Sequence, residues 1–93
     1  MAYFAIRYSG VKIFDTARKH DVGDSDMLHA IENAIAVGEQ DDGKVLYLGP
    51  DHAGDLLEII AVVLDDGSEI VIHAMHMRPR YESFLRYKGD THD

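Results

Sequence analysis

The chain has 93 residues, of which 46% are hydrophobic, and this size and composition predict a single folded domain, residues 1–93, rather than a disordered chain. It contains no cysteine, which excludes disulfides and thiol catalysis and fits a cytoplasmic protein. No apolar run approaches the ~20 residues that span a bilayer, and the N-terminus lacks the apolar stretch of a signal peptide.

Charge is distributed unevenly along the chain. The formal net charge of −8 argues against nucleic-acid binding, because phosphate contact normally requires lysine and arginine. Eight of the nine bases nevertheless lie within residues 1–20 and 73–93, whereas residues 21–72 hold thirteen acids and a single base, Lys44. A fold that joins the terminal segments would build a basic face on an acidic protein. In the alternative interpretation, the scattered charge only keeps the protein soluble.

Two helices are predicted in the first part of the chain. The segment SGVKIFDTARKHDVGD begins at a capping Ser9, carries a narrow apolar stripe and stops at Gly23. The segment DSDMLHAIENAIAVG follows, with Asp24 or Ser25 as its N-cap and Gly38 as its end. The apolar residues of the two helices are Ile13, Phe14 and Ala17, and then Met27, Leu28, Ile31, Ala34 and Ile35.

From about residue 36 the apolar period becomes that of strands. QDDGKV and LDDGSE place Asp-Gly between strand-like runs, which is typical of hairpins, and GPDHAGD is a longer turn. The predicted strands are 36–40, 44–49, 55–64 and 69–77. The run LLEIIAVVL is apolar on both faces apart from Glu58, which predicts a central strand covered by helices on one side and by a partner on the other.

A third helix, PRYESFLRYKG, is predicted to begin at Pro79 and to end at Gly89, with residues 89–93 as a frayed tail. The predicted fold class is therefore α+β. Two N-terminal helices precede a three- to four-stranded antiparallel meander, and a C-terminal helix packs on the sheet.

The sequence offers little support for metal or nucleophilic chemistry. His73 and His76 are three residues apart on a predicted strand, so they point to opposite faces, and none of His20, His29 and His52 has a histidine partner at i+4. No nucleophile elbow or phosphate-cradling glycine loop is present, and the paired aspartates are typical of turns. We therefore expect neither a metal nor another cofactor.

The basic segments favour phosphate or RNA contact instead. Arg78 and Arg80 at a helix start could hold a phosphate, and His73, His76 and Tyr81 could move protons or stack on bases. The alternative is that the two arginines are exposed strand-exit residues and that His73 packs as a satisfied neighbour. A further set from the first predicted helix could join the site: Arg18, Lys19 and His20.

Several strings resemble the RelE/ParE toxin superfamily and, within it, the BrnT-like toxins of bacterial toxin–antitoxin systems. ARKHDV at 17–22 resembles the end of their first helix. KVLYLGPDHAGDLLEIIAVVLDDGSEIVIHAM at 44–75 resembles their three-stranded meander, and MRPRYESF at 77–84 is similar to their closing helix. The resemblance extends over roughly residues 5–88.

The resemblance implies a type II toxin that acts in the cytoplasm as a metal-independent endoribonuclease on mRNA, with or without the ribosome. A gyrase-directed toxin and a non-catalytic protein-binding module of the same fold are the alternatives. Met75 stands where the family tends to carry an arginine. The implied catalytic residues are Lys19, His20, His76, Arg78 and Arg80, and the implied RNA-binding residues are Arg18, His73 and Tyr81.

The resemblance also implies a partner. Such toxins are neutralised by a small DNA-binding antitoxin, commonly of the ribbon-helix-helix type, that covers the basic face. The apolar outer face of residues 56–64 would suit that contact or a homodimer.

Overall fold

The computed structural model describes residues 10–85, which form a five-stranded mixed sheet with one α-helix on one face. The strand order is β1-β5-β4-β3-β2, with β1 parallel to β5 and all other neighbours antiparallel. The elements are β1 (Val11–Ile13), α1 (Asp24–Glu32), β2 (Ala36–Glu39), β3 (Lys44–Pro50), β4 (Leu56–Val63) and β5 (Glu69–His76).

The first predicted helix is wrong. Its segment forms the short strand β1 and then a 3-10 turn, Asp15–Arg18. The reason is a tertiary one, since the edge of β5 supplies backbone partners that a local pattern cannot show. The backbone N–H of Phe14 donates to the carbonyl of Val71 (2.9 Å), and the hydroxyl of Thr16 donates to the carbonyl of Ile72 (2.9 Å). The predicted N-cap, Ser9, lies outside the described residues.

The second predicted helix exists but is shorter than expected. Gly23 is its N-cap, and the helix ends at Glu32 because Asn33 leaves the helical conformation and Ile35 donates a backbone hydrogen bond to β3 (2.8 Å). The helix crosses β3 at Gly49, where a Cβ added to the glycine would lie 2.0 Å from the carbonyl oxygen of Ala30. Its buried face consists of Met27, Ala30 and Ile31.

The strands from 36 onward lie within a residue or so of the predicted bounds. Both Asp-Gly turns form, with positive φ at Asp42, Gly43 and Gly67, the conformation for which Asp-Gly is favoured. The sheet is nevertheless not a three- to four-stranded antiparallel meander, because β1 joins β5 in parallel as a fifth strand. The predicted fold class is therefore wrong in its N-terminal half and in its sheet, although the chain is α+β.

Among residues 10–85, the chain that follows β5 contacts the second face of the sheet, opposite α1. Arg78 hydrogen-bonds Glu58 on β4. The ring of Phe84 lies 3.6 Å from the point that a Cβ added to Gly38 on β2 would occupy. This segment begins as a 3-10 turn, Pro79–Tyr81, and is helical through 82–85. The predicted helix end at Gly89 and the tail 89–93 lie outside the described residues.

No helix among residues 10–85 is long and apolar enough to cross a membrane.

Candidate functional site

The most unusual side chain of the sheet is the carboxylate of Glu58. It lies in the middle of β4 with 0% exposure, and it is the one buried polar or charged residue among residues 10–85. It points to the second face, between its strand partners Leu48 and Met75. A buried carboxylate is costly unless it is paired and hydrogen-bonded, so its partners define the site.

Arg78 is the first partner of Glu58. Its backbone N–H donates to Oε1 (2.9 Å), Nη2 donates to Oε2 (2.6 Å) and Nε lies 3.0–3.1 Å from both oxygens. The residue is extended, at φ −89° and ψ 155°, as expected before a proline, and this conformation turns its N–H toward the carboxylate. Pro79 therefore helps to fix the ion pair.

His73 is the second partner of Glu58. Its Nε2 lies 2.8 Å from Oε2, so that it donates its proton to the carboxylate. A bulge between the Ile60 and Ala61 pairs resets the side-chain alternation of β5. Consequently His73 points to the second face while Val71, two residues earlier, lies in the α1 core.

The pKa directions match this geometry. Burial alone would raise the pKa of Glu58, but the hydrogen bonds from Arg78 and His73 outweigh it and hold that pKa below its ordinary value. The hydrogen bond to Glu58 raises the pKa of Arg78. Glu58 and Arg78 therefore stay ionised at neutral pH.

His20 joins this cluster from the turn that follows the first 3-10 segment. Its ring meets that of His73 edge to face, with 5.8 Å between centroids. Lys19 is exposed beside it at the end of the turn. His20 therefore contacts His73 of β5, and His73 shares the carboxylate of Glu58 with Arg78.

Arg80 and Tyr81 complete the surface on the other side of Arg78. The guanidinium carbons of Arg80 and Arg78 lie 5.3 and 6.0 Å from the centroid of the Tyr81 ring. Tyr81 in turn stacks on Phe84, with 6.3 Å between ring centroids. Two arginines beside an aromatic ring can bind a nucleotide, because the guanidinium groups hold its phosphate while the ring stacks on its base.

Two predicted residues lie apart from this cluster. Arg18 is held by Asp15 (2.6 Å) and Asp24 (2.8 Å), and the hydrogen bond to Asp24 raises its pKa. Its charge is therefore already compensated. His76 is exposed at the end of β5 and pairs with Leu57, so it belongs to the α1 face, opposite His73.

A second histidine cluster was not predicted. His52 Nδ1 lies 2.7 Å from a carboxylate oxygen of Asp26, and His29 Nδ1 donates to the carbonyl of Pro50 (2.8 Å). The two rings are 4.2 Å apart between centroids. The cluster ties the 51–55 turn to α1. Among residues 10–85, no three histidine or acidic side chains come together in a way that would hold a metal ion.

Sequence reasoning did not select Glu58 as a functional residue, although a signal was present. It is the one charge within LLEIIAVVL, and a lone acid in an otherwise apolar strand requires a buried partner. Which residues would pair with it could not be read from the sequence, because Arg78 is 20 residues away and His73 is 15.

No protein-family model, curated protein or solved structure matches this chain. The resemblance of its short strings to BrnT-like toxins therefore stays a prediction.

Proposed function

We propose that this chain is the toxin of a bacterial type II toxin–antitoxin system and cleaves mRNA in the cytoplasm as a metal-independent endoribonuclease. The observation that carries the proposal is that buried Glu58 holds His73 and Arg78 on one face, with His20 against His73. General acid–base groups and a fixed cation therefore lie side by side.

The proposed reaction is transesterification at an RNA phosphate. His73 accepts the proton of the 2′-hydroxyl, whose oxygen attacks phosphorus, while the bond from phosphorus to the 5′-oxygen breaks and His20 protonates the leaving oxygen. The products are a 2′,3′-cyclic phosphate and a 5′-hydroxyl. Arg78 and Arg80 stabilise the charge on the phosphorane, with Lys19 as a further cation at the rim.

Glu58 acts as a positioning residue in this scheme. Because His73 Nε2 donates to Glu58, the ring nitrogen that remains to accept a proton is Nδ1, and the carboxylate stabilises the imidazolium once that proton has been taken. Tyr81 offers a ring on which a base can stack.

Arg78 is also the proposed replacement for the arginine that BrnT-like toxins tend to carry at the position of Met75. Met75 pairs with Glu58 on the second face, where the resemblance would place an arginine. Arg78 reaches the same carboxylate from three residues further along the chain and brings a guanidinium to that position. This placement supports Arg78 as the functional substitute.

A non-catalytic binding module of the same fold is the competing proposal, with a gyrase-directed toxin as a further form of the alternative. The observation in its favour is that Glu58 neutralises the positive charge of Arg78. In a protein of net charge −8, this pairing weakens the attraction of Arg78 for an RNA phosphate. In that case the cluster only fastens the C-terminal segment to the sheet.

The test is expression of the chain without its partner, followed by mapping of new RNA ends and by assay of the purified protein on RNA with EDTA present. We expect growth arrest and 2′,3′-cyclic phosphate ends. His73→Ala and His20→Ala should each lower the cleavage rate by about 10²–10⁴-fold, the usual contribution of a general acid or base. His52→Ala, which removes an exposed histidine from the other cluster, should leave cleavage unchanged.

Unfolding curves for each variant separate loss of chemistry from loss of fold. No arrest and no new RNA ends from the folded wild-type chain would refute the endoribonuclease. Folded His73→Ala and Arg80→Ala variants that are still toxic would support the binding module. An antitoxin, expected to be a small DNA-binding protein such as a ribbon-helix-helix protein, should abolish the arrest when co-expressed.

A further inference from the structure

Among residues 10–85, α1 packs over one end of the sheet face on which it lies. The helix packs over the end of β3 and the start of β4, where Gly49 meets Ala30. At the other end of the same face lies an open cavity of about 420 Å³. It is lined by Glu39, Gln40, Gly43, Lys44, Val45, Tyr47, Val63 and Glu69.

Aliphatic side chains are exposed around this cavity. Val37 pairs with Tyr47 on the cavity side of the sheet and is 61% exposed, and Val63 pairs with Glu69 and is 43% exposed. Val45 and Tyr47 form the floor between them. Neighbouring apolar side chains left in water on a sheet face mark a contact surface.

The cavity lining holds two acids, Glu39 and Glu69, and further acids lie in the adjoining turns, where Lys12 acts on Asp66. The ends of β2 and β4, the start of β5 and both Asp-Gly turns meet at this end of the sheet. Glu69 accepts a hydrogen bond from the Tyr47 hydroxyl (2.5 Å), which fixes its carboxylate over the floor. Lys44 is the base in the cavity lining. The acids of the strand ends and turns are Glu39, Asp41, Asp42, Asp65, Asp66 and Glu69.

We propose that this surface binds a segment of a partner protein in which arginine or lysine alternates with aliphatic side chains. The aliphatic stems lie on the exposed side chains of Val37 and Val63, while the cationic heads meet Glu39 and Glu69. A second copy of this chain is a poor occupant, because two identical acidic surfaces would repel each other. The proposal does not depend on RNA cleavage, since the surface lies on the face of the sheet opposite Glu58.

The probe is a heptapeptide of alternating arginine and leucine, titrated onto the ¹⁵N-labelled 93-residue chain. A peptide of alternating glutamate and leucine is its charge-inverted counterpart. We expect saturable shifts of the amides of Val45, Tyr47 and Val63 with the basic peptide and none with the acidic one. The double variant Glu39→Gln/Glu69→Gln should weaken binding about tenfold, the loss expected from two surface ion pairs.

The matched control is Asp21→Asn/Asp55→Asn, which removes the same charge from exposed positions away from the cavity and should alter the dissociation constant less than twofold. Val63→Lys places a cation beside the floor, where it repels the arginine side chains of the peptide, and should abolish binding. Lack of binding by the basic peptide, equal binding by the acidic one, or equal losses in the two double variants would overturn the proposal. So would concentration-dependent dimerisation that shifts the same amides.

Discussion

Replacing Glu58 with alanine is the sharpest test of how the second face is held. The substitution removes the acceptor of the Arg78 backbone N–H, of its guanidinium and of His73 at the same time. Breaking a buried ion pair costs about 3–5 kcal/mol. Arg78 and His73 are 39% and 24% exposed and can recruit water, so the low end, about 3 kcal/mol, is expected here.

The measurement is the free energy of unfolding from urea titration, supported by thermal melting. For a domain of this size, about 3 kcal/mol corresponds to a drop in Tm of roughly 12–24 °C. Glu58→Gln keeps the volume of the side chain and loses the charge, so it should be intermediate. A loss below about 1 kcal/mol in the alanine variant would refute the reasoning, because the carboxylate would then not organise its partners.

The leucine pair checks the mechanism further. Glu58→Leu leaves Arg78 without its acceptor, whereas Glu58→Leu/Arg78→Leu removes both charges, and apolar replacement of a buried pair is often close to neutral. The double variant should therefore be more stable than Glu58→Leu alone. If the losses of unfolding free energy in Glu58→Leu and in Arg78→Leu simply add up to the loss in the double variant, the two side chains do not interact directly.

The other predictions concern pH, packing and the first turn. The pKa of Glu58 is held below its ordinary value of 4.5, so the stability that this carboxylate contributes is complete above about pH 4.5 and is lost as the pH falls through the folded pKa. In urea titrations between pH 3 and 7, the free energy of unfolding should therefore fall less steeply with acid for Glu58→Gln than for the wild type. Equal slopes would contradict this prediction. Gly49→Ala should cost about 3 kcal/mol or more, since its Cβ would lie 2.0 Å from the carbonyl oxygen of Ala30; an unchanged Tm would show that α1 does not cross there. Thr16→Val should cost about 1 kcal/mol by removing the hydrogen bond to Ile72, and hydrogen exchange at the edge of β5 should report the loosened turn, whereas unaltered exchange would argue against that contact.

The strands could be predicted because their signals are local. Asp-Gly turns and the period-two alternation act within a few residues, and the bounds of β3, β4 and β5 follow them closely. The histidine geometry was also predictable, since His73 and His76 do point to opposite faces. A strand period is sufficient for that inference.

The first helix could not be excluded from local pattern. Ile13, Phe14 and Ala17 have helical spacing, yet Phe14 is exposed and only Ala17 is buried in the core. The competing structure gains its hydrogen bonds from β5, which is more than fifty residues later in the chain. Local propensity was overridden by a tertiary contact.

The sequence by itself determined the turns, the strands after residue 36 and the presence of an acid in the central strand, because each depends on neighbouring residues alone. Only the tertiary structure decided that β1 is a strand and that His20, His73, Glu58 and Arg78 form one cluster. A carboxylate in an apolar strand must find partners, but which side chains reach it depends on a bulge in β5 and on the path of the chain across the second face. Those are long-range properties of the fold.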